Sequence, residues 1–159
     1  MTAPTLVFGW GNPSRGDDAI GPLFVERIEA LALPGVECLT DFQLQVEHAL
    51  DLKDRQRVLF VDASFATATF EVKPIAPEKD ASFTTHAMTA QAVLKVYRDL
   101  EDEDPPPTWL LAVGGRDFEL GAPLSSNAAA NLEAALTWAQ AWLVQEAAVG
   151  EWEARNAIS

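Results

Sequence analysis

Short apolar runs in this chain alternate with longer stretches in which apolar residues recur every three or four positions. Residues 5–8 form an apolar run that predicts a buried strand, and the apolar positions from Ile20 to Leu31 predict a helix directly after it. Residues 57–62 are almost continuously apolar, as in a central parallel strand covered on both faces. Residues 69–75 alternate between apolar and polar side chains, which predicts a half-exposed strand at an edge of the sheet.

The same patterns place the remaining elements. Further strands are predicted over residues 36–40 and 108–113, which gives a set of about five. Thr84 and Thr85 are candidate N-caps of a helix near His86, and Ser125 precedes a long last helix with one apolar stripe. A short helix is also predicted toward Leu50.

Strands that alternate with helices predict a single α/β domain, with a mostly parallel central sheet and helices on both faces. We assign residues 1–149 to this domain and residues 150–159 to a flexible tail. In parallel sheets, ligands bind beyond the carboxyl ends of the strands. The segments that follow the predicted strands should therefore gather at one edge; they are residues 9–18, 41–47, 62–64 and 114–117.

The loop after the first strand contains two glycines and two adjacent acids. Asp17 and Asp18 lie near the start of the first helix, where negative charge is favoured, and Asp17 is adequately explained as a helix cap. Asp18 is less redundant, because a second acid is repelled by the first unless a positive group lies nearby. Two carboxylates also make a phosphate cradle improbable. A dinucleotide fingerprint would need a third glycine where Ser14 stands.

Charge and composition exclude several classes of protein. With 159 residues, 48% of them hydrophobic, the chain is long enough for one substantial core. Its formal net charge of -13 leaves no basic face for nucleic acid. No run of apolar residues is long enough to span a membrane and no basic leader opens the chain, so we predict a cytoplasmic protein with no membrane partner. Cys38 is the single cysteine, predicted to be a small buried apolar residue and not a nucleophile.

Three side chains are candidates for chemistry at the predicted edge: Asp18, Asp62 and His86. Two carboxylates and an imidazole can ligate a divalent transition metal, or serve as acid–base groups around a polarised amide. Each also has a structural interpretation, as a second cap acid, an acceptor for loop amides and a capping or surface histidine, respectively. The other histidine, His48, is predicted to face solvent.

The first loop resembles the opening signature of the nickel–iron hydrogenase maturation endopeptidases, which begin with a strand and a G-x-G-N-x-x-x-x-D-[DE]-x-x-G loop. The end of the third strand, Val61-Asp62-Ala63, is similar to the second motif of that family, and His86 falls where the family places its histidine. The segment before the last helix is also similar. The matching first segment is Gly9-Trp10-Gly11-Asn12-Pro13-Ser14-Arg15-Gly16-Asp17-Asp18-Ala19-Ile20-Gly21.

This resemblance implies a cytosolic, aspartyl-type endopeptidase that removes a C-terminal peptide from a hydrogenase large-subunit precursor after nickel has been inserted. Asp18, Asp62 and His86 would be its catalytic and metal-contacting residues. The nickel would be supplied by the precursor, so no tightly bound intrinsic metal is expected. Which group activates the water stays open.

The resemblance also suggests residues that contact the substrate. Many family members carry a G-G-T-x-G loop after the second strand, whereas this chain has a Q-L-x-x-E-x-A sequence that resembles the variant of proteases for soluble hydrogenases. Gln43 and Glu47 of this segment, with Gly11 and Asn12 of the first loop, are candidates for recognition of the precursor. An outward-facing polar helix surface explains Gln43 and Glu47 equally well.

Three other functions compete with this one. A non-catalytic assembly chaperone that senses nickel in the same client would use the same ligands. Peptidyl-tRNA hydrolases share a G-x-G-N-P loop but need a basic surface, which the net charge of -13 opposes. A dinucleotide-binding module is the weakest alternative.

Overall fold

The computed structural model describes residues 2–79 and 88–145. Its strands form one sheet in the order β2-β1-β3-β5-β4, so the prediction of a central five-stranded sheet is confirmed. The strands are β1 (Thr5–Trp10), β2 (Val36–Asp41), β3 (Arg57–Ser64), β4 (Phe70–Ile75) and β5 (Thr108–Gly114).

The sheet is mostly parallel, as predicted. β3 pairs in parallel with β1 on one side and β5 on the other, which explains why its sequence is apolar on both faces. β2 pairs in parallel with β1 at one edge. β4 pairs antiparallel with β5 at the other edge, and its side chains alternate between half-buried and exposed over most of its length. The prediction of an exposed edge strand there is confirmed.

Helices cover both faces of the sheet. They are α1 (Ile20–Ala30), α2 (Ala90–Glu101) and α3 (Ser126–Val144), with short 3₁₀ helices at Gly16–Ala19 and Val46–Leu52. One core lies between the sheet and helices α1 and α3, and the other lies between the sheet and α2 with the second 3₁₀ helix. Side chains of β3 contribute to both cores, because successive side chains of a strand point to opposite faces of the sheet. Leu59 and Val61 enter the first core, and Val58 and Phe60 enter the second.

The start of α2 differs from the prediction. The helix begins at Ala90 and its N-cap is Thr89, whose side chain accepts a hydrogen bond from the Ala92 amide at 3.0 Å. The cap satisfies one of the amides that a first helical turn leaves unpaired. The predicted N-caps, Thr84 and Thr85, precede Thr89 by five and four residues. Both lie outside the described residues, as does His86. By contrast, α3 is capped where predicted, by Ser125.

A buried arginine joins the start of β3 to the end of α3. The guanidinium of Arg57 donates to Thr5 Oγ1 at 2.9 Å and to the Trp142 and Leu143 carbonyl oxygens at 3.2 and 3.1 Å. It also lies 4.3 Å from the centroid of the Trp142 ring. These contacts satisfy carbonyl groups that the last turn of a helix leaves without partners, and they fix α3 against the amino edge of the sheet.

Within residues 2–79 and 88–145, no helix is long and apolar enough to cross a membrane. Cys38 was predicted to be buried; it is half-buried and packs against the first core. Burial and the neighbouring charges of Glu29 and Glu37 raise the pKa of its thiol to about 11, so it is a poor nucleophile at neutral pH. The tail predicted over residues 150–159 lies outside the described residues.

Candidate functional site

The loops that follow the parallel strands meet at the carboxyl edge of the sheet, as predicted. The Gly11 amide donates to the Asp41 carbonyl oxygen at 3.1 Å, which joins the loop after β1 to the end of β2. The Gly115 amide donates to the Ser64 carbonyl oxygen at 3.0 Å, which joins the ends of β3 and β5. Main-chain bonds between loops fix the relative positions of the side chains that these loops carry.

Asp18 lies in the 3₁₀ helix Gly16–Ala19 and faces back toward the first loop. Its Oδ2 accepts a hydrogen bond from the Asn12 amide at 2.7 Å. Gly11 adopts a φ of 149°, and a Cβ at this position would collide with the Asp18 carbonyl oxygen. Gly11 and Asn12 therefore pack against Asp18, and their predicted contact with a substrate stays a prediction.

Asp62 lies near the end of β3, opposite Ala112 of β5, and is half-buried. Burial and, after it, the negative charge of Asp18 raise the pKa of its carboxyl group from 3.8 to about 7. Asp18 and Asp62 therefore interact electrostatically, as the prediction that both lie at this edge requires. A cation between the two carboxylates would relieve the repulsion.

The third predicted residue, His86, lies outside the described residues. Within residues 2–79 and 88–145, no group of three or more histidine, cysteine or acidic side chains is arranged to hold a metal ion. The described part of the site thus consists of the two carboxylates and the loops that hold them.

The prediction that Asp17 is a helix cap is wrong. Its side chain is fully buried, and it makes no cap to the helix that contains it. Its Oδ2 accepts from the Arg116 and Asp117 amides at 2.7 and 3.0 Å and from Ser125 Oγ at 2.8 Å. Its Oδ1 accepts from the Ser125 amide at 2.7 Å. Asp17 therefore anchors the loop between β5 and α3 to the first loop.

The surroundings of the Asp17 carboxylate favour its ionised form. Burial alone would raise the pKa of Asp17, but donors from Arg116, Ser125 and Asp117 outweigh it, so the pKa lies below the ordinary value. Two main-chain bonds join the same loops: the Asp17 amide donates to the Asp117 carbonyl oxygen at 2.6 Å, and the Gly121 amide donates to the Ser14 carbonyl oxygen at 2.7 Å. No local pattern in the sequence predicts these contacts, because the partners lie about 100 positions apart.

The prediction that His48 faces solvent is also wrong. The residue is only 7% exposed and its ring packs edge-on against Phe8, with centroids 4.7 Å apart. Its Nδ1 accepts a hydrogen bond from the Gln45 amide at 2.8 Å, so the neutral ring carries its proton on Nε2, which donates to Asp41 Oδ2 at 3.1 Å. The capping of the second 3₁₀ helix by Gln45 turns the imidazole inward.

The pairing of His48 with Asp41 fixes the segment after β2. The two candidate recognition residues on this segment, Gln43 and Glu47, are exposed, while Leu44 between them is buried in the second core. Their side chains can be reached from solvent beside the first loop. Whether they contact a substrate stays a prediction.

The fold is similar to those of several proteins of known structure. It matches the hydrogenase maturating endopeptidase HybD from Escherichia coli with a TM-score of 0.70 at 24% sequence identity, over 87% of this chain and 91% of that chain. It matches the NiFe hydrogenase maturation protease HycI from Thermococcus kodakarensis with a TM-score of 0.64 at 23% identity, over 86% and 89% of the two chains. An endopeptidase from Escherichia coli, studied in solution, matches with a TM-score of 0.68 at 25% identity, over 86% and 90%.

No protein-family model matches the sequence, and no curated protein matches it. The structural matches cover almost the whole domain in each case. The chain therefore has the fold of the NiFe hydrogenase maturation endopeptidases, and the resemblance predicted from its motifs is confirmed at the level of the fold.

Proposed function

We propose that this protein is a cytoplasmic endopeptidase that removes a C-terminal peptide from the nickel-loaded precursor of a hydrogenase large subunit. The observation that carries the proposal is the pair of carboxylates, Asp18 and Asp62, at the carboxyl edge of a sheet with the hydrogenase-protease fold. The first motif, which contains Asp18, and the second, which contains Asp62, meet in space as a single site requires.

The two carboxylates suit a cationic group on the substrate. The charge of Asp18 makes ionisation of Asp62 unfavourable, and a positive group between them would favour the ionised form of both. In the proposed reaction this group is the nickel of the precursor, which belongs to the substrate and is not a resident cofactor. His86 is assigned to the same contact by the resemblance alone.

Asp62 is also suited to proton transfer. Without a cation between the carboxylates, a carboxyl group with a pKa of about 7 exists in both protonation states at neutral pH, which suits general acid–base catalysis. With a peptide bond held nearby, Asp62 could take a proton from the attacking water or return one to the leaving amine. Gln43 and Glu47, exposed beside the first loop, are proposed to contact the precursor and to contribute to its selection.

The test is cleavage of nickel-loaded hydrogenase large-subunit precursors, with mass spectrometry to detect a released C-terminal peptide. Wild-type protein should trim a precursor only when nickel is present. Asp18→Ala and Asp62→Asn should each slow trimming by at least about 100-fold. Asp117→Asn is the matched control, because Asp117 is an exposed acid of the same edge whose side chain accepts only from the Glu119 amide among the described contacts.

The possible outcomes separate the competing functions. Trimming that survives in Asp62→Asn would contradict the assignment of the site. Firm binding of a nickel-loaded precursor with no trimming by the wild type would favour the assembly chaperone. If the protein neither binds nor trims any precursor in a panel, its similarity to these proteases is one of fold only.

A further inference from the structure

Two aromatic side chains meet at the carboxyl edge of the sheet. Phe65 follows the last residue of β3, and Phe118 lies in the loop between β5 and α3. Their ring centroids are 4.2 Å apart. Phe65 is 74% exposed, the largest exposed fraction among the large apolar side chains in residues 2–79 and 88–145. Folding therefore leaves most of this ring unburied.

The pair is held in place from one side. Phe118 lies over Gly115, where an added Cβ would come within 3.0 Å of its ring. The same loop is anchored by the carboxylate of Asp17 through its Arg116 and Asp117 amides. Phe118 is thus a fixed platform against which the exposed ring of Phe65 rests. A rigid aromatic surface of this kind binds apolar groups with little loss of side-chain entropy.

The position of the pair relates it to the candidate site. Phe65 is three residues after Asp62, so the two Cα atoms are separated by at most about 11 Å. An extended polypeptide covers that distance with about three residues. A polypeptide that crosses the carboxyl edge of the sheet can therefore contact Asp62 with one residue and the aromatic pair with another, about three residues away.

We propose that Phe65 and Phe118 form an apolar subsite that binds a large apolar side chain of the precursor, a few residues from the bond that is cut. This inference rests on the proposed function and adds a determinant of substrate choice. The occupant is a polypeptide with a cationic centre and an apolar neighbour, because the carboxylates of Asp18 and Asp62 lie at the same edge of the sheet as the aromatic pair. A second copy of this chain is a poor occupant, since both copies would carry a net charge of -13.

The test compares wild type, Phe65→Ser and Phe65→Leu in steady-state cleavage of a nickel-loaded precursor. Phe65→Ser should raise KM about 10-fold with little change in kcat, because the subsite contributes binding in the ground state and the transition state alike. Phe65→Leu should restore most of the affinity. The matched control is Leu100→Ser, a 64% exposed apolar residue near the end of α2, at the opposite edge of the sheet.

Binding of the same precursor to each variant, measured with the variant immobilised on a sensor surface, distinguishes failure of the subsite from failure of the proposed peptidase function. If wild type cleaves and Phe65→Ser has an unchanged KM, the subsite is refuted and the proposed function stands. If wild type binds without cleaving and Phe65→Ser binds about 10-fold more weakly, the subsite stands and the peptidase is refuted. If the wild type neither cleaves nor binds, both fail. A wild-type dimer that Phe65→Ser converts to monomers, with unchanged KM, would identify a self-interface and overturn the subsite.

Discussion

Adjacent aspartates in the first loop have different roles because their surroundings differ. Asp17 is buried, and amide and hydroxyl donors surround its carboxylate, which stabilises the ionised form. Asp18 accepts from the Asn12 amide and places its charge toward Asp62. The same side chain is thus a structural anchor at one position and part of a candidate site at the next.

The surroundings of Asp62, by contrast, oppose the ionisation of its carboxyl group. It is half-buried, and the nearby charge of Asp18 opposes its ionisation in addition to burial. A group in this state destabilises the fold once it is forced to ionise. That cost is consistent with a residue kept for function, since an amide of similar shape would avoid it.

This cost predicts how stability depends on pH in the absence of metal. Between the ordinary pKa of 3.8 and the raised value of about 7, the unfolded chain binds fewer protons at this position than the folded protein. The free energy of unfolding therefore falls as pH rises through this window, and the loss is complete above it. Asp62→Asn should gain stability relative to wild type by on the order of 4 kcal/mol between about pH 4 and about pH 8.

Urea unfolding in the presence of a chelator would measure this difference. Asp18→Asn provides a second variant, because loss of the Asp18 charge should lower the pKa of Asp62 and shrink the pH-dependent loss. A difference between wild type and Asp62→Asn that stays constant with pH would mean that Asp62 ionises normally in the folded protein.

At the scale of elements, one buried carboxylate joins the loops at the carboxyl edge of the sheet. The Asp17 carboxylate takes four hydrogen bonds from the segment that links β5 to α3, including the amide and hydroxyl of Ser125. Ser125 is also the N-cap of α3. One buried side chain therefore connects the start of α3 to the loop that carries Asp18.

Asp17→Asn should accordingly destabilise the protein by about 2–4 kcal/mol, because an amide cannot accept on both of its polar atoms and leaves buried donors unpaired. The measurement is the free energy of unfolding in urea near neutral pH. Asp117→Asn is the control, since its exposed side chain accepts from a single amide within the described part of the chain, and it should stay within about 0.5 kcal/mol of wild type. Equal effects of the two substitutions would contradict the anchoring role of Asp17.

At the scale of the whole molecule, charge and core act in opposite directions. The sheet carries a core on each face, which stabilises the compact state. The chain has 24 acidic residues against 11 basic ones, so its charges repel one another on average. The surface ion pairs, such as Arg27 with Glu133 and Lys95 with Asp99, contribute little to stability because their side chains lie in water.

Net repulsion should therefore dominate the response to salt. We expect the urea midpoint at neutral pH to rise as NaCl increases from about 0.02 M to about 0.5 M, because screening weakens repulsion over the whole surface. The control is the same series near the sequence pI of about 4.4, where the net charge is small and the effect should vanish. A midpoint that falls with salt at neutral pH would mean that attractive pairs outweigh the excess of negative charge.

Local periodicity and the rules of parallel sheets were enough to predict most of the fold. The apolar run of β3, the alternation of β4 and the cap at Ser125 each follow from neighbouring residues in the sequence. The meeting of Asp18 and Asp62 at one edge follows from the same reasoning, since strand ends of a parallel sheet share that edge.

Tertiary structure decided the features that depend on residues far apart in the chain. Asp17 differs from a helix cap only through donors 99 to 108 positions away, and a single sequence holds no signal for such pairing. His48 is buried because its ring packs against Phe8 of β1, far earlier in the chain, while Asp41 accepts a hydrogen bond from its Nε2. The contact of Phe65 with Phe118 joins two loops in the same way. By itself the sequence determined which elements form and at which edge the acids lie, while long-range hydrogen bonding and packing determined what each side chain contacts there.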